Sequence, residues 1–246
     1  MPSKVFYDMH LHSCLSPCGD DEMTPCNIAG MSSLKGLGIV ALTDHNTCGN
    51  CPAFFSACSD FSIVPIAGAE VTTAEDIHVV TLFETLEGAM DFGSFMDSHR
   101  VLFPNDPSVF GRQLYTDASD KIVGEEPYLL INALDISIDN INGMAKEYGG
   151  IAFPAHIDKM SNSIVSVFGM IPESDFTVYE FADISKRGEF SERFPEIENK
   201  FHLTSSDAHY LWDINESVNF IDIFSDLNDA PSVRKELFSI LRGDIK

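Results

Sequence analysis

Short apolar runs alternate along this chain with amphipathic stretches, a rhythm that points to β-α units around a mainly parallel sheet. Val5 to Met9 reads as a first strand. A helix follows, with Thr24 as N-cap, Pro25 in its first position and Gly36 or Gly38 closing it. Ile39–Leu42 reads as a buried strand, Cys51–Cys58 as a short helix, and Ile63–Ala67 and Ile77–Phe83 as further strands. From about residue 84 to 134 one helix near Met90–Val101 leads into a Pro- and Gly-containing stretch with the marks of an insertion or lid. Regular alternation then resumes with a helix over Ile138–Tyr148 and a strand at Ile151–Pro154. Strands at Thr177–Phe181, Phe201–Thr204 and Val218–Ile223 follow, and a last helix runs from Pro231 to about Leu241. No internal repeat or linker interrupts the pattern, so residues 1–246 are expected to form one domain.

A hydrophobic content of 44% with 22% charged residues is that of a soluble globular chain able to bury a core. No apolar run is long enough to span a bilayer, and Met1–Tyr7 carries no signal-peptide core, which predicts a cytoplasmic protein. The formal net charge of −23 repels anionic membranes and polyphosphate backbones, whose binding depends on Lys and Arg. Nucleic acid is therefore a disfavoured partner, though bound divalent cations would offset part of the deficit. A small anionic substrate held by metal ions fits the balance better.

Chemistry-bearing residues collect where strands end. His10 and His12 close the first strand, Asp44 and His45 the second, and Glu70 the third. His78 opens the fourth, His156 follows Phe153-Pro154-Ala155, and Asp207 and His209 follow Phe201–Thr204. Strand ends of this kind converge on one face of a parallel sheet or barrel. Imidazole and carboxylate suit zinc, manganese or iron, and side chains two apart on a strand point the same way, so His10 and His12 can chelate one ion. One such pair is weak evidence for a metal; its recurrence after successive strands is strong evidence. Glu70, behind an apolar strand and Gly68-Ala69, needs a cation or partner if it is buried.

Taken together, these residues resemble the PHP (polymerase and histidinol phosphatase) domain superfamily. Asp8-Met9-His10-Leu11-His12-Ser13 is similar to its first motif and Leu42-Thr43-Asp44-His45-Asn46 to its second. Gly68–Thr73 with His78 resembles the third, and Gly149–His156 and Ser205–His209 the last two. The resemblance implies an α/β fold, a distorted seven-stranded β/α barrel, with a two- or three-metal centre of zinc, manganese or iron. It implies one ion on His10, His12, Glu70 and Asp207, and a second shared by Glu70 with His78 and His156. A third would sit on His45, His209 and a ligand from the loop after the first strand. That loop commonly reads Ser-Asp-Gly in the family but here reads Ser16-Pro17-Cys18-Gly19-Asp20-Asp21-Glu22, so Asp20 or Asp21 is the candidate, with Asp21 preferred. The implied reaction is phosphoester hydrolysis by a metal-bridging hydroxide on a small phosphomonoester or nucleotide, with His209 or Asp44 assisting the leaving group.

Several residues carry a plainer alternative. Asp44 suits a carboxylate that orients His45 or another ligand more than a direct ligand. His99, beside Arg100, reads as a surface residue and His202 as a structural one. Lys159, Lys186 and Arg187 lie in loops able to reach the site and clamp a phosphate, though most such residues are merely solvated. Cys14, Cys18, Cys48 and Cys51 flank the first two strands and would bind zinc or an iron–sulfur cluster if they converged; the alternative is four small thiols in loops. The competing functions are a phosphodiesterase or exonuclease on nucleic acid and a non-catalytic metal-stabilised module. The retained ligand set weighs against the second.

Overall fold

The apolar runs pair into a mixed sheet rather than a mainly parallel one. In a computed structural model describing residues 2–245, the first half of the chain forms β1 (Ser3–Asp8), α1 (Pro25–Leu34), β2 (Ile39–Leu42), α2 (Cys51–Cys58), β3 (Val64–Thr72) and β4 (His78–Phe83). Next come α3 (Leu86–Asp97), α4 (Pro107–Phe110), β5 (Leu114–Thr116), β6 (Ile122–Glu125), α5 (Ile138–Glu147) and β7 (Gly150–Pro154). The chain ends with α6 (Ile164–Phe168), β8 (Val178–Phe181), α7 (Arg187–Arg193), β9 (Phe201–Thr204), β10 (Phe220–Ile223) and α8 (Ala230–Arg242). Among the described residues no helix is long and apolar enough to cross a membrane.

The main sheet has the order β10-β1-β2-β3-β4-β7. β1, β2 and β3 run parallel, whereas β4 is antiparallel to both β3 and β7, and β10 is antiparallel to β1. The reason is local: only Thr73–Ile77 separates β3 from β4, too short a link for a crossover, so the chain turns back on itself. β3 also extends past the expected Ala67 to Thr72, because that hairpin supplies it with partners. Gly68 lies where the hairpin is tightest; a Cβ there would sit 2.3 Å from the Thr81 carbonyl oxygen. β8 and β9 form a separate parallel pair. Single backbone bonds link it to the chain just after β7 and just after β1, Ile157 N–H to Glu180 O at 2.9 Å and Asp207 N–H to His10 O at 2.9 Å.

Alternation along the strands sets the inside of the curl. Tyr7 of β1, Ile39 and Ala41 of β2, Val64 and Ile66 of β3, Val80 and Leu82 of β4 and Phe153 of β7 pack in one apolar cluster. Each of the Val, Ile, Leu and Phe side chains among them contributes about 1.5–3 kcal/mol by leaving water. Leu237, Phe238 and Leu241 of α8 join that cluster. α8 lies at the end where β4 finishes and β7 and β8 begin: Arg234 Nε donates to Glu84 O, Arg242 Nη2 to Gly149 O, and Thr177 Oγ1 to Leu241 O. Continuing the same parity to the opposite end brings in Glu70 after Val64 and Ile66, His78 before Val80, and Glu180 after Val178. Apolar side chains therefore fill one end of the curl and ligand-type side chains the other.

α1 starts as expected at Thr24, whose hydroxyl accepts from Asn27 N–H, with Pro25 in the first turn. α3 begins four residues before the expected Met90, because Thr85 caps it through Gly88 N–H. The segment between α3 and α5 is stitched to the loops after β1 and β2. Leu114 N–H donates to Cys14 O, and Asn46 Nδ2 donates to Leu130 O and Asn132 O.

Candidate metal centre

His10 and His12 do not stand on a regular strand. β1 ends at Asp8, and the next residues are clamped between two loops: Thr43 N–H donates to Leu11 O at 3.0 Å, and His12 N–H to Ala208 O at 2.9 Å. Asp8 itself is fully buried and accepts from Ser206 N–H and Asn215 N–H, which pins the loop carrying Asp207. Burial pushes its carboxyl up to about 6.

Glu70 is the hub. Its Oε1 lies 2.9 Å from His78 Nδ1 and 3.2 Å from both His10 Nε2 and His156 Nε2. Its Oε2 lies 3.1 Å from His45 Nδ1 and 3.4 Å from His12 Nε2. Asp207 Oδ1 stands 3.1 Å from His12 Nε2 and 3.4 Å from His10 Nε2. His209 stacks on His12 with ring centroids 4.3 Å apart. Three sets bring their donor atoms within 4.8 Å of one another: His10, His12, Glu70 and Asp207; His45, Glu70 and His78; and His12, His45 and His209. His156 joins through Glu70 alone. A cavity of about 120 Å³ opens over these groups, bordered also by Lys159, Ser161 and Asn162.

The donor set fits divalent cations. His10 Nε2, His45 Nδ1 and Glu70 Oε2 are buried yet have no hydrogen-bond partner, despite their close neighbours. Buried polar atoms left this way are costly, and convergent imidazole nitrogens and carboxylate oxygens are what a zinc-, manganese- or iron-type ion takes.

Charge is shared out unevenly across the cluster. Burial raises the Glu70 carboxyl, but His78, His10 and His45 outweigh it and hold the group well below the usual range. Burial lowers His10, and Glu180, Glu70 and Asp207 more than reverse this. His12 rises to about 9, because hydrogen bonding to Asp207 and Glu70 overcomes burial. His45 and His209 go the other way under burial and the neighbouring His12, His209 to about 4. Burial and His12 thus favour the neutral form of His209, the form that can bind a cation.

Residues not anticipated from the sequence hold the rings. His10 Nδ1–H donates to Glu180 Oε2 at 2.8 Å, turning Nε2 toward Glu70. His12 Nδ1 meets Ser16 Oγ at 3.0 Å; that hydroxyl donates to Asp44 Oδ1, so it accepts from His12 Nδ1–H and turns Nε2 toward Asp207 and Glu70. Glu180 was legible in principle as an acid within the apolar run Val178-Tyr179-Glu180-Phe181, where burial demands a partner. Two residues of the centre take backbone conformations unusual outside glycine, His156 at φ 30° and Asp207 at φ 52°. Such strain persists only where the surroundings hold it.

Other expected residues lie elsewhere. Asp44 is buried, with Ser13 N–H, Ser13 Oγ and Ser16 Oγ all on its carboxylate, so it faces its own loop rather than a leaving group. Asp21 is exposed and Asp20 caps Glu22 N–H; neither joins the three donor sets. Gly19 N–H donates to Ser16 O in a tight turn, and Asp20 N–H then donates to His209 O at 3.0 Å. Lys159 pairs with Asp207 at the cavity rim. Lys186 pairs with Asp158 at 3.1 Å, outside the donor sets, and Arg187 is exposed. His99 pairs with Asp135, and His202 Nε2–H donates to Ile197 O, so both sit apart from the centre. The four cysteines form no donor set among the described residues: Cys14 points at Leu114 O, Cys48 and Cys51 at Gly68 O, and Cys18 is exposed.

The chain resembles known structures over most of its length. It superposes on the lesion-specific endonuclease PfuEndoQ from Pyrococcus furiosus with a TM-score of 0.63 and 18% identity, covering 98% of this chain and 56% of that one. A candidate metal-dependent phosphoesterase from Bifidobacterium adolescentis gives 0.54 at 16% identity, covering 95% and 98%. An endonuclease Q bound to a 27-mer duplex with an abasic lesion gives 0.52 at 20% identity, covering 85% and 50%. The chain thus spans about half the length of the two endonucleases. No curated protein matches it in sequence. The model of the PHP domain family matches residues 8–148, more than half of the chain. With a mixed α/β fold, His, Glu and Asp side chains gathered around Glu70 and a family match over more than half of its length, the chain belongs to the PHP domain family.

Proposed function

We propose that the protein is a metal-dependent phosphoesterase that hydrolyses a small phosphomonoester or nucleotide. The observation that carries this reading is the convergence of six histidines, Glu70 and Asp207 with buried nitrogen and oxygen atoms left unpaired. His10, His12, Glu70 and Asp207 would hold one ion and Glu70, His78 and His156 a second, with His45 and His209 left to contribute to a third. Zinc, manganese or iron bound there supplies a Lewis acid for phosphoryl oxygens and lowers the pKa of the attacking water.

The chain's own part is positioning. Glu180 and Ser16 fix the two imidazoles before a ligand arrives, so little reorganisation is needed on binding. Lys159, on the cavity rim against Asp207, presents its ammonium to an incoming phosphate. Seven strands, β1 to β4 with β7, β8 and β9, are read as the staves of the distorted β/α barrel that brings these groups to one end.

The test is metal-stripped protein reloaded separately with Mn²⁺, Zn²⁺ and Fe²⁺ and offered a panel of phosphomonoesters and nucleotides. Metal-dependent release of phosphate is expected. Metal uptake without hydrolysis of any phosphoester would instead leave a non-catalytic metal-stabilised module.

One observation favours nucleic acid as a second reading. Tyr210 and Trp212 follow His209 directly, are 41% and 67% exposed, and stack with ring centroids 5.1 Å apart. Exposed aromatic pairs beside a phosphoester site suit base stacking, and the endonuclease Q structures carry the same fold. Single-stranded oligonucleotides in the same panel decide between the two: cleavage that Trp212→Ala suppresses favours a strand substrate.

A further inference from the structure

A second cleft, of about 480 Å³, adjoins the metal cavity, and Lys159 lines both. Asp158 and Met160 form one wall of it, and Lys186, Phe190 and Arg193 the other. Lys186 lies in the turn preceding α7 and Arg193 in its last position, so the far wall belongs to the connection between β8 and β9. Three of the chain's 15 basic residues thus surround one cleft in a protein of net charge −23. Glu189 is the other acid on the cleft besides Asp158.

Arg193 is not consumed by the fold, and Lys186 only in part. Asp158 is buried, and its oxygens already accept from Ala182 N–H at 2.7 Å and Asp183 N–H at 3.1 Å. Lys186, whose side chain is 43% exposed, donates to Asp158 Oδ2 at 3.1 Å and to Asp158 O at 3.5 Å, so its third N–H faces the cleft or solvent. Arg193 makes no ion pair among the described residues; its guanidinium rests over the Phe194 ring, 4.8 Å from the centroid. Met160, 93% exposed, offers the cleft an apolar surface.

We infer that this cleft receives the leaving group of the substrate, and that the leaving group carries a second anion, a phosphate or a carboxylate, held by Lys186 and Arg193. The inference rests on the phosphoesterase reading above. In the hydrolysis the P–O bond to the leaving group breaks, the water oxygen bonds to phosphorus, and one water proton ends on the released alkoxide, giving an alcohol and inorganic phosphate. With the phosphoryl group in the metal cavity, the departing oxygen lies on the Lys159 side and the rest of the molecule extends along the cleft. A charge-assisted contact from each cation distinguishes a doubly anionic substrate from a singly anionic one.

The experiment uses the metal-loaded full chain and two matched pairs of substrates: butane-1,4-diol bisphosphate against its monophosphate, and 4-carboxyphenyl phosphate against phenyl phosphate. Wild type is expected to prefer the doubly anionic member of one pair by roughly tenfold or more in kcat/KM, mainly through KM. The pair that responds identifies the second anion. Lys186→Ala with Arg193→Ala should remove the preference, and the exposed charge reversal Arg193→Glu should invert it. Equal kcat/KM within both pairs in wild type, or a preference that survives the double variant, overturns the inference while leaving the phosphoesterase reading intact. Failure of the metal-loaded wild type to hydrolyse any of the four compounds or the wider phosphoester panel overturns that reading and the inference together.

Discussion

The walls behind His10 and His12 solve the same problem differently. Both rings are fully buried and aim Nε2 at Glu70 and Asp207. Behind His10 stands a carboxylate, Glu180, 170 residues away in the chain. Behind His12 stands the hydroxyl of Ser16, four residues away, itself held by Asp44. A carboxylate partner makes the imidazole a more basic ligand and ties its orientation to the packing of β8. A hydroxyl partner fixes the tautomer with less charge and depends only on the fold of one loop. The lesson is that one short motif is supported by one long-range contact and one local one.

The largest effect should come from removing what both walls serve. His10→Ala or Asp207→Ala is expected to lower kcat/KM by about 10³-fold or more and to reduce bound metal, checked by phosphate release and elemental analysis. Full turnover in either variant would break the metal-centre assignment. The long-range wall comes next: Glu180→Gln should cost roughly 10–100-fold in metal affinity or activity, with partial recovery in Glu180→Asp. Ser16→Ala should cost less than Glu180→Gln in the same metal titration. If the two losses are equal, the difference between the walls has no energetic content.

Asp44 tests what the local wall needs to stay folded. Asp44→Ala leaves three buried donors without an acceptor, and a loss of roughly 1–3 kcal/mol in unfolding free energy is expected from denaturant melts. The smallest effect concerns a histidine with no carboxylate behind it. Burial holds His202 below the ordinary 6.5, the reverse of His10. As pH falls through 6.5 the unfolded chain takes up a proton that the folded one resists, so this part of the stability is present above 6.5 and lost below it. Wild type should therefore lose more Tm than His202→Gln between about pH 6.5 and 5.5; equal losses would remove the contrast with His10.

Most strands and both terminal helices were legible from apolar spacing and caps, as Thr24-Pro25 ahead of α1 illustrates. The direction of β4 was less so, since it depends on whether Thr73–Ile77 turns back or crosses over, and periodicity is blind to that choice. The early start of α3 rested on the overlooked cap Thr85. At the centre, the histidines, Glu70 and Asp207 stood out because their chemistry and strand-end positions are local properties. Asp21 lies exposed and outside the donor sets, because the backbone course of the loop after β1 is not encoded in residue type.

Taken alone, the sequence determined which side chains are able to hold a metal, their order along the chain and the family, because such chemistry resides in side chains and spacing. Only the tertiary structure decided that Glu180 orients His10, that Asp44 serves Ser13 and Ser16, and that Lys159 joins the metal cavity to a basic cleft. These are contacts between residues far apart in the chain, or choices among nearby partners. Their strength comes from distance and burial, which exist only once the sheet has curled.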